Sequence, residues 1–318
     1  MGDELILGID GGGSKVLVAL ADRTGRILRT SRGGGINPMD NPTWRQELER
    51  HILPFRQLGG LVAVGAALPA FGEVTHLSAL QTEAIESAFP SVPQRVLNDV
   101  EGAHIGAFGG EPGILILSGT GSMAWATGSD GRTARSGGWG ERIGDEGSSH
   151  WLGQKALNLI SQSLDGRAPA TALADAVFDH LGIERANPMD GLGNWATTLK
   201  NPRAQIAALS ILVDRVAVQG DAGATGLIEQ AANELAKHYQ AVKGALGQTV
   251  DWTYAGGTFT SQILLKKLEH KIGAAAVAPK LPPIGGALMA AAQRLGWLLD
   301  ESWFEQIAST AEGVGVTE

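Results

Sequence analysis

The 318-residue sequence contains no cysteine. Disulfides, a cysteine nucleophile, a cysteine-bound iron–sulfur cluster and a thiolate zinc site are therefore excluded, and the chain suits a reducing compartment. Basic runs are missing too. Lys and Arg total 25 against 33 Asp and Glu, a net charge of −8, and no Lys/Arg cluster is long enough to follow a phosphate backbone. Nucleic acid is thus not an expected partner. The longest apolar stretch, Leu61 to Phe71, is too short and too glycine-broken to span a bilayer. The acidic start Met1-Gly2-Asp3-Glu4, followed by apolar residues only from Leu5 to Ile9, does not read as a signal peptide. These features predict a soluble, cytoplasmic protein without a membrane partner. Several motifs are also absent. The seven histidines (51, 76, 104, 150, 180, 238 and 270) have no His-x-x-x-His spacing, and no Gly-x-Ser-x-Gly elbow occurs. Neither Gly-x-x-x-x-Gly-Lys-Ser/Thr nor Gly-x-Gly-x-x-Gly is found, which excludes the P-loop and the dinucleotide fingerprint.

Glycine is abundant instead, at 45 residues, roughly twice average usage. It clusters at 11–13, 33–35, 137–138, 256–257 and 285–286, a pattern that favours backbone brought close to a ligand. The chain is long enough for two packed lobes. Leu5 to Ile9 reads as a buried strand, Val16 to Leu20 as its partner, and Arg26 to Thr30 as the third strand of a meander. Strands are also expected at Leu61 to Ala67 and Arg95 to Leu97, with helices at 43–56, 75–88 and Val100 to Phe108. Glu111-Pro112-Gly113 punctuates the chain and sets a boundary between residues 1–112 and 113–297. Beyond it, Ile114 to Ala126 restates the beginning. At an offset of 108, Gly11, Gly13, Ser14 and Asp22 fall on Gly119, Gly121, Ser122 and Asp130. This suggests an internal duplication. The second half then turns helical, at 149–164, 170–181, 202–219 and 225–246, with a strand at Asp251 to Ala255 and helices at 260–270 and 287–295.

Asp10-Gly11-Gly12-Gly13-Ser14-Lys15 follows the first strand, where bare backbone N–H groups can converge on anionic oxygens. Asp10 is placed to hold Mg²⁺ through water, and Lys15 to reach phosphate oxygens. The matching Ser118-Gly119-Thr120-Gly121-Ser122 makes a second jaw, and together they suit ATP. Asn98-Asp99 ends a strand and opens a helix, so Asp99 is either a helix cap or a general base. Gly137-Gly138-Trp139-Gly140 and Gly144 to Ser148 combine small residues, one Trp and an acidic pair. That set suits a sugar, although Trp139 also reads as a core aromatic, and Asp145 and Glu146 as a helix cap and first turn.

In order, Ile9-Asp-Gly-Gly-Gly-Ser-Lys15, Asn98-Asp99, Leu117-Ser-Gly-Thr-Gly-Ser122, Gly138 to Ser148 and Ala255-Gly-Gly257 resemble the motifs of the BadF/BadG/BcrA/BcrD ATPase family, and within it the N-acetylglucosamine kinases. The resemblance implies duplicated ribonuclease-H-like lobes of the actin/hexokinase type around an ATP cleft, with the tail 298–318 as a helix on the first lobe. It implies Asp99 as the base for a sugar 6-hydroxyl, Thr120 and Gly121 at the transferring phosphoryl group, and Gly256 and Gly257 beside adenosine. Asn37, Asn98, Gly138, Trp139 and Asp145 would line the sugar site. Met123 stands where the animal-type enzymes carry asparagine, and Ala66 to Ala70 lacks their serine. Glucosamine and N-acetylmuramic acid are the alternative substrates, and a non-catalytic sugar sensor or regulatory ATPase module the alternative class. A homodimer is the family habit. Family branches that carry a cysteine-bound cluster are excluded by the composition.

Overall fold

The computed structural model describes residues 4–313. Three antiparallel strands open the chain: β1 (Leu5–Gly11), β2 (Lys15–Asp22) and β3 (Ile27–Gly34). Helix α1 (Trp44–Ile52) precedes β4 (Leu61–Leu68), α2 (Thr75–Ala88) precedes β5 (Gln94–Asn98), and α3 (Asp99–Phe108) follows directly. The sheet order is β3-β2-β1-β4-β5, with β4 paired parallel to β1 and β5 parallel to β4. Both faces of β1 are covered, which is why its apolar run is continuous rather than alternating. Ile6 packs with the chain's later helices, whereas Leu7 and Ile9 pack beside Leu48 and Ile52 of α1 and Ile85 of α2.

The second half repeats the pattern with β6 (Gly113–Ser118), β7 (Ser122–Thr127) and β8 (Thr133–Gly137). A helical insertion follows: α4 (Ser149–Leu164), α5 (Leu173–Leu181), α6 (Pro188–Thr197), α7 (Pro202–Ala208) and α8 (Ser210–Val218). The single helix expected over 202–219 is therefore two, broken at Leu209, and α6 has no counterpart in the sequence reading. Then come α9 (Ala222–Leu246), β9 (Trp252–Ala255), α10 (Gln262–Ile272), α11 (Pro283–Arg294) and α12 (Glu301–Gly313). The second sheet runs β8-β7-β6-β9, the same order as the first through four strands. The segment after α10 lies where a fifth strand would, with Val277 N donating to Trp252 O at 2.9 Å and Thr253 Oγ1 donating to Val277 O at 2.7 Å.

The boundary drawn at 112/113 falls between the two sheets. The range 113–297 needs one correction. Ile284, Ala287 and Leu288 of α11 are buried against Ile6, Ala63 and Ala67 of the first sheet. In return, Val100, Ala103 and Phe108 of α3 pack against Leu115 and Met123 of the second sheet. The two helices thus exchange lobes, and they cross where both are glycine: a Cβ on Gly286 would overlap the Gly102 carbonyl, and one on Gly106 would lie 2.8 Å from Gly286 N. Gly286 serves this crossing, and a Cβ on Gly285 would press on Leu281 at 2.7 Å, so packing accounts for both glycines where clustering suggested a ligand. Trp303 and Ile307 of α12 are buried with Ile27 of β3, and Thr310 Oγ1 accepts from Ile27 N at 3.2 Å. Residues 314–318 of the expected tail lie outside the described residues. No described helix is long and apolar enough to cross a membrane.

Candidate active site

The β1–β2 connection is a tight hairpin closed by Gly12 N donating to Lys15 O at 2.8 Å. Its glycines have different duties. A Cβ on Gly11 would press on Ile36 Cδ1 at 2.5 Å, so Gly11 is fixed by packing. Cβ atoms on Gly12 and Gly13 would meet nothing closer than 3.5 Å, so these two present bare backbone to open space, as a phosphate-facing turn requires. Gly35 supports the turn from beneath, since any side chain there would overlap the Gly13 carbonyl. Ser14 and Lys15 are exposed at the tip. Asp10 ends the buried part of β1, and loss of water pushes its carboxyl up to about 7 despite the Lys15 charge.

The second hairpin is the counterpart, with Gly119 N donating to Gly121 O at 2.9 Å. Gly119 faces open space, and no hydrogen bond engages the Thr120 hydroxyl among the described residues. Two expected phosphate ligands are otherwise committed. Ser118 Oγ, fully buried, donates to Gly147 O at 2.9 Å, and Ser122 Oγ donates to Glu146 O at 2.7 Å. Their side chains pin the hairpin to the 144–148 loop instead of reaching into the cleft. Gly256, at φ +105°, lies so close to the second hairpin that a Cβ would overlap the Ser118 carbonyl, whereas Gly257 faces open space. Thr258 Oγ1 donates to Gly119 O at 3.3 Å, and Ser149 N donates to the same oxygen at 2.8 Å. The expected adenosine motif and the second hairpin are one rigid unit.

The cap of α3 is Asn98, not Asp99. Asn98 Oδ1 accepts from Val100 N at 3.0 Å, while its Nδ2 donates to Phe71 O at 3.0 Å. The buried Asn98 side chain is thereby engaged in holding the 71–73 loop and the helix start. Asp99 stands at the first helical position, where its own Oδ1 also accepts from Val100 N at 3.0 Å. Burial, then the charges of Asp10 and Glu73, push it up to about 7. Those couplings bring Asp10, Glu73 and Asp99 into one electrostatic group. Glu73 was not singled out from sequence. It accepts from Asn98 Nδ2 at 3.4 Å and pairs with Arg135 Nη2 at 3.5 Å, a bridge from the first half to β8. Burial raises its carboxyl above the ordinary range, opposed by Arg135.

Ser148 likewise takes the cap of α4, accepting from Trp151 N at 3.1 Å, so Asp145 has no capping duty. Asp145 is buried, and its backbone sits at φ +65°. The other non-glycine residue with positive φ among those described is Ala70, in the loop leading to Glu73. Such strain persists where surrounding contacts hold it, often at functional sites. Burial raises the Asp145 carboxyl, opposed by Arg203. Arg203 Nη2 donates to Asp145 Oδ2 at 2.8 Å, and Nη1 donates to Asp40 Oδ2. Asn37 Nδ2 donates to that same Asp40 oxygen at 2.8 Å. Asn37 and Asp145 therefore meet through Arg203 across the cleft. Gly138 adjoins this group: a Cβ there would lie 2.9 Å from Met123 Sδ and 3.4 Å from Glu73 Oε1. Trp139 is 67% exposed, which excludes the core aromatic and leaves the ring at the rim of the site.

Arg203, Asp40, Glu73 and Arg135 carry no motif, and nothing local in the sequence marks them. What the arrangement offers is two bare-backbone turns for phosphates, a buried carboxylate held near neutrality, and a polar pocket beside it. Among the described residues no cluster of three or more His, Asp or Glu forms a metal cage. Asp10, a desolvated carboxylate balanced only in part by Lys15, fits a divalent ion shared with phosphate oxygens.

The model of the BadF/BadG/BcrA/BcrD ATPase family matches residues 7–291. The N-acetylmuramic acid/N-acetylglucosamine kinase of Clostridium acetobutylicum is 30% identical over 268 residues, 80% of this chain and 86% of that protein. The N-acetyl-D-glucosamine kinase of Dictyostelium discoideum is 26% identical over 91% of this chain and 98% of its own. Among solved structures, a candidate N-acetylglucosamine kinase from Chromobacterium violaceum superimposes with a TM-score of 0.73 at 29% identity, covering 91% of this chain and 99% of that one. The duplicated, actin/hexokinase-like fold expected from the sequence is the one found.

Proposed function

The chain belongs to the BadF/BadG/BcrA/BcrD ATPase family, and we propose that it transfers the γ-phosphoryl group of ATP to the 6-hydroxyl of an amino sugar, N-acetylglucosamine foremost. Its enzyme class, an ATP-dependent amino-sugar kinase, is that of its curated relatives. The observation that carries the mechanism is the buried Asp99 at the head of α3, with Asn98 as the cap and Asp10 within charge range. A carboxylate held near neutrality beside two phosphate turns is suited to accept a hydroxyl proton. In the step, the sugar oxygen bonds to the γ-phosphorus as the bond to the β,γ-bridging oxygen breaks. ADP leaves with that electron pair, and the hydroxyl proton passes to Asp99. Gly12, Gly13, Thr120 and Gly121 cradle the phosphates, Gly257 borders adenosine, and Asn37, Trp139 and Asp145 orient the sugar. Mg²⁺ at Asp10 would supply positive charge to the β- and γ-phosphate oxygens.

Glucosamine is the second reading, favoured by the Glu73 carboxylate beside Met123, which could partner an ammonium. We assign the protein to the cytoplasm, where ATP is supplied, and carry over a homodimer from the resemblance, to be checked by sedimentation. An ADP-release assay over N-acetylglucosamine, glucosamine and N-acetylmuramic acid tests the proposal. Sugar-dependent ADP release is expected; its absence with every amino sugar would leave the sugar sensor or regulatory module as the better reading.

A further inference from the structure

Helix α7 belongs to the insertion, not to the duplicated core, yet it reaches the centre of the cleft. It does so because it lies directly on α4, where any side chain at Gly153 would overlap the Ile206 carbonyl. Asn201 caps it, and Arg203 projects from its first turn. The guanidinium stops between the two hairpins: Nη1 is 3.8 Å from where a Cβ on Gly13 would be, and Nη2 is 3.0 Å from the corresponding point on Gly121. One cation therefore lies beside the tips of both phosphate turns. Its side chain is only 16% exposed.

The hydrogen bonding of Arg203 is incomplete. A guanidinium has five N–H donors. Nη1 bonds Asp40 and Nη2 bonds Asp145, whereas Nε is buried, 3.1 Å from Glu141 Oε2 but without an aligned hydrogen bond. The three carboxylates each face one nitrogen and leave the second N–H of Nη1 and of Nη2 without a hydrogen-bond partner among the described residues. Arginine's planar, weakly hydrated fork suits several oxygens at once, and phosphoryl oxygens are the group the two hairpins are built to hold.

We propose that Arg203 is a catalytic residue whose guanidinium contacts the transferring phosphoryl group and stabilises the charge on its oxygens. This rests on the kinase reading above. While the sugar oxygen bonds to the γ-phosphorus and ADP departs with the electron pair, the cation faces the equatorial oxygens from the insertion side. Asp40 and Asp145 hold it in place, so little reorganisation is needed when the charge develops.

The test compares the wild type with Arg203→Met and Arg203→Lys. Folding is checked by thermal melts, and binding by calorimetry with ADP alone and with ADP–aluminium fluoride plus sugar. For Arg203→Met, kcat is expected to fall by about 10²–10³-fold, as on loss of one preorganised donor. Affinity for ADP–aluminium fluoride with sugar should fall by a similar factor, and affinity for ADP alone by less than about threefold. Arg203→Lys, which keeps the charge but not the fork, should lie between. Near-wild-type kcat in both variants overturns the proposal. So does a loss confined to the sugar KM with analogue affinity preserved, which would make Arg203 a tether of Asp145. Should Arg203→Met fail to fold, Arg203→Lys with unchanged analogue affinity would overturn it equally. Failure of the kinase reading itself is separate, because it shows as no sugar-dependent ADP release in the wild type.

Discussion

Asp99 and Asp10 are both held near 7 because each is desolvated, and Asp99 is raised further by the charges of Asp10 and Glu73. A base must be ionised to work, so kcat/KM should rise with pH through about 7. A pH–rate profile checks this, and a rate without a limb near pH 7 would remove Asp99 as the base. Asp99→Asn should abolish turnover while ADP still binds by calorimetry. The same substitution should raise the melting temperature of the ligand-free protein at pH 8. A carboxyl whose folded pKa lies above its ordinary 3.8 binds its proton more tightly when folded, so its ionisation costs stability as pH rises from about 4 through about 7. Removing the charge relieves that cost only at the alkaline end. The melting gain should vanish near pH 4, and a gain equal at both pH values would contradict the burial argument.

At the scale of elements, the hairpins and the duplication were legible because each is local. Glycines at fixed offsets between apolar runs specify a strand–turn–strand whatever surrounds it. The caps were legible only by position. The sequence offered Asp99 and Asp145 as the caps, whereas the residue that caps depended on side-chain direction. Asn98 and Ser148 took that duty instead. Arg203 was invisible, since it lies 58 residues from Asp145 and 163 from Asp40 in sequence and meets them only through the packing of α7 on α4. Asn98→Ala removes the α3 cap and two tethers to the 71–73 loop. A loss of about 1–2 kcal/mol in denaturant unfolding is expected. kcat should fall as well, because the first turn carries Asp99. Asn98→Ser restores the cap alone, so it should recover most of the stability and less of the rate. Equal recovery of both would mean that the Phe71 and Glu73 bonds have no part in placing the base.

Over the whole molecule, the lobes are joined in two ways. At the back, α3 and α11 exchange partners and cross backbone to backbone at Gly102, Gly106 and Gly286. At the front, charged side chains bridge the cleft: Glu73 with Arg135, and Asp40 with Arg203. The front pairs involve groups that the sugar and phosphates would engage, so ligands act on them directly. The back crossing sets how the lobes can swing, because two helices in backbone contact can roll but cannot separate without exposing the apolar surface shared with both sheets. Gly286→Ala inserts a methyl group where the Gly102 carbonyl lies, and both helices are too well packed to yield. Overpacking of this kind costs about 1–3 kcal/mol, so the melting temperature should fall by several degrees. The effect on function should be of a different kind. With the crossing wedged apart, the lobes cannot bring Gly12–Gly13 and Gly119–Gly121 to the same separation around one phosphate chain. ADP, held mainly by the second half, should bind nearly as before. The tightening of nucleotide binding by sugar, measured by calorimetry with and without saturating sugar, should shrink toward none. If that synergy survived intact in a destabilised Gly286→Ala protein, closure would have to pivot elsewhere, and the crossing would be a matter of stability alone.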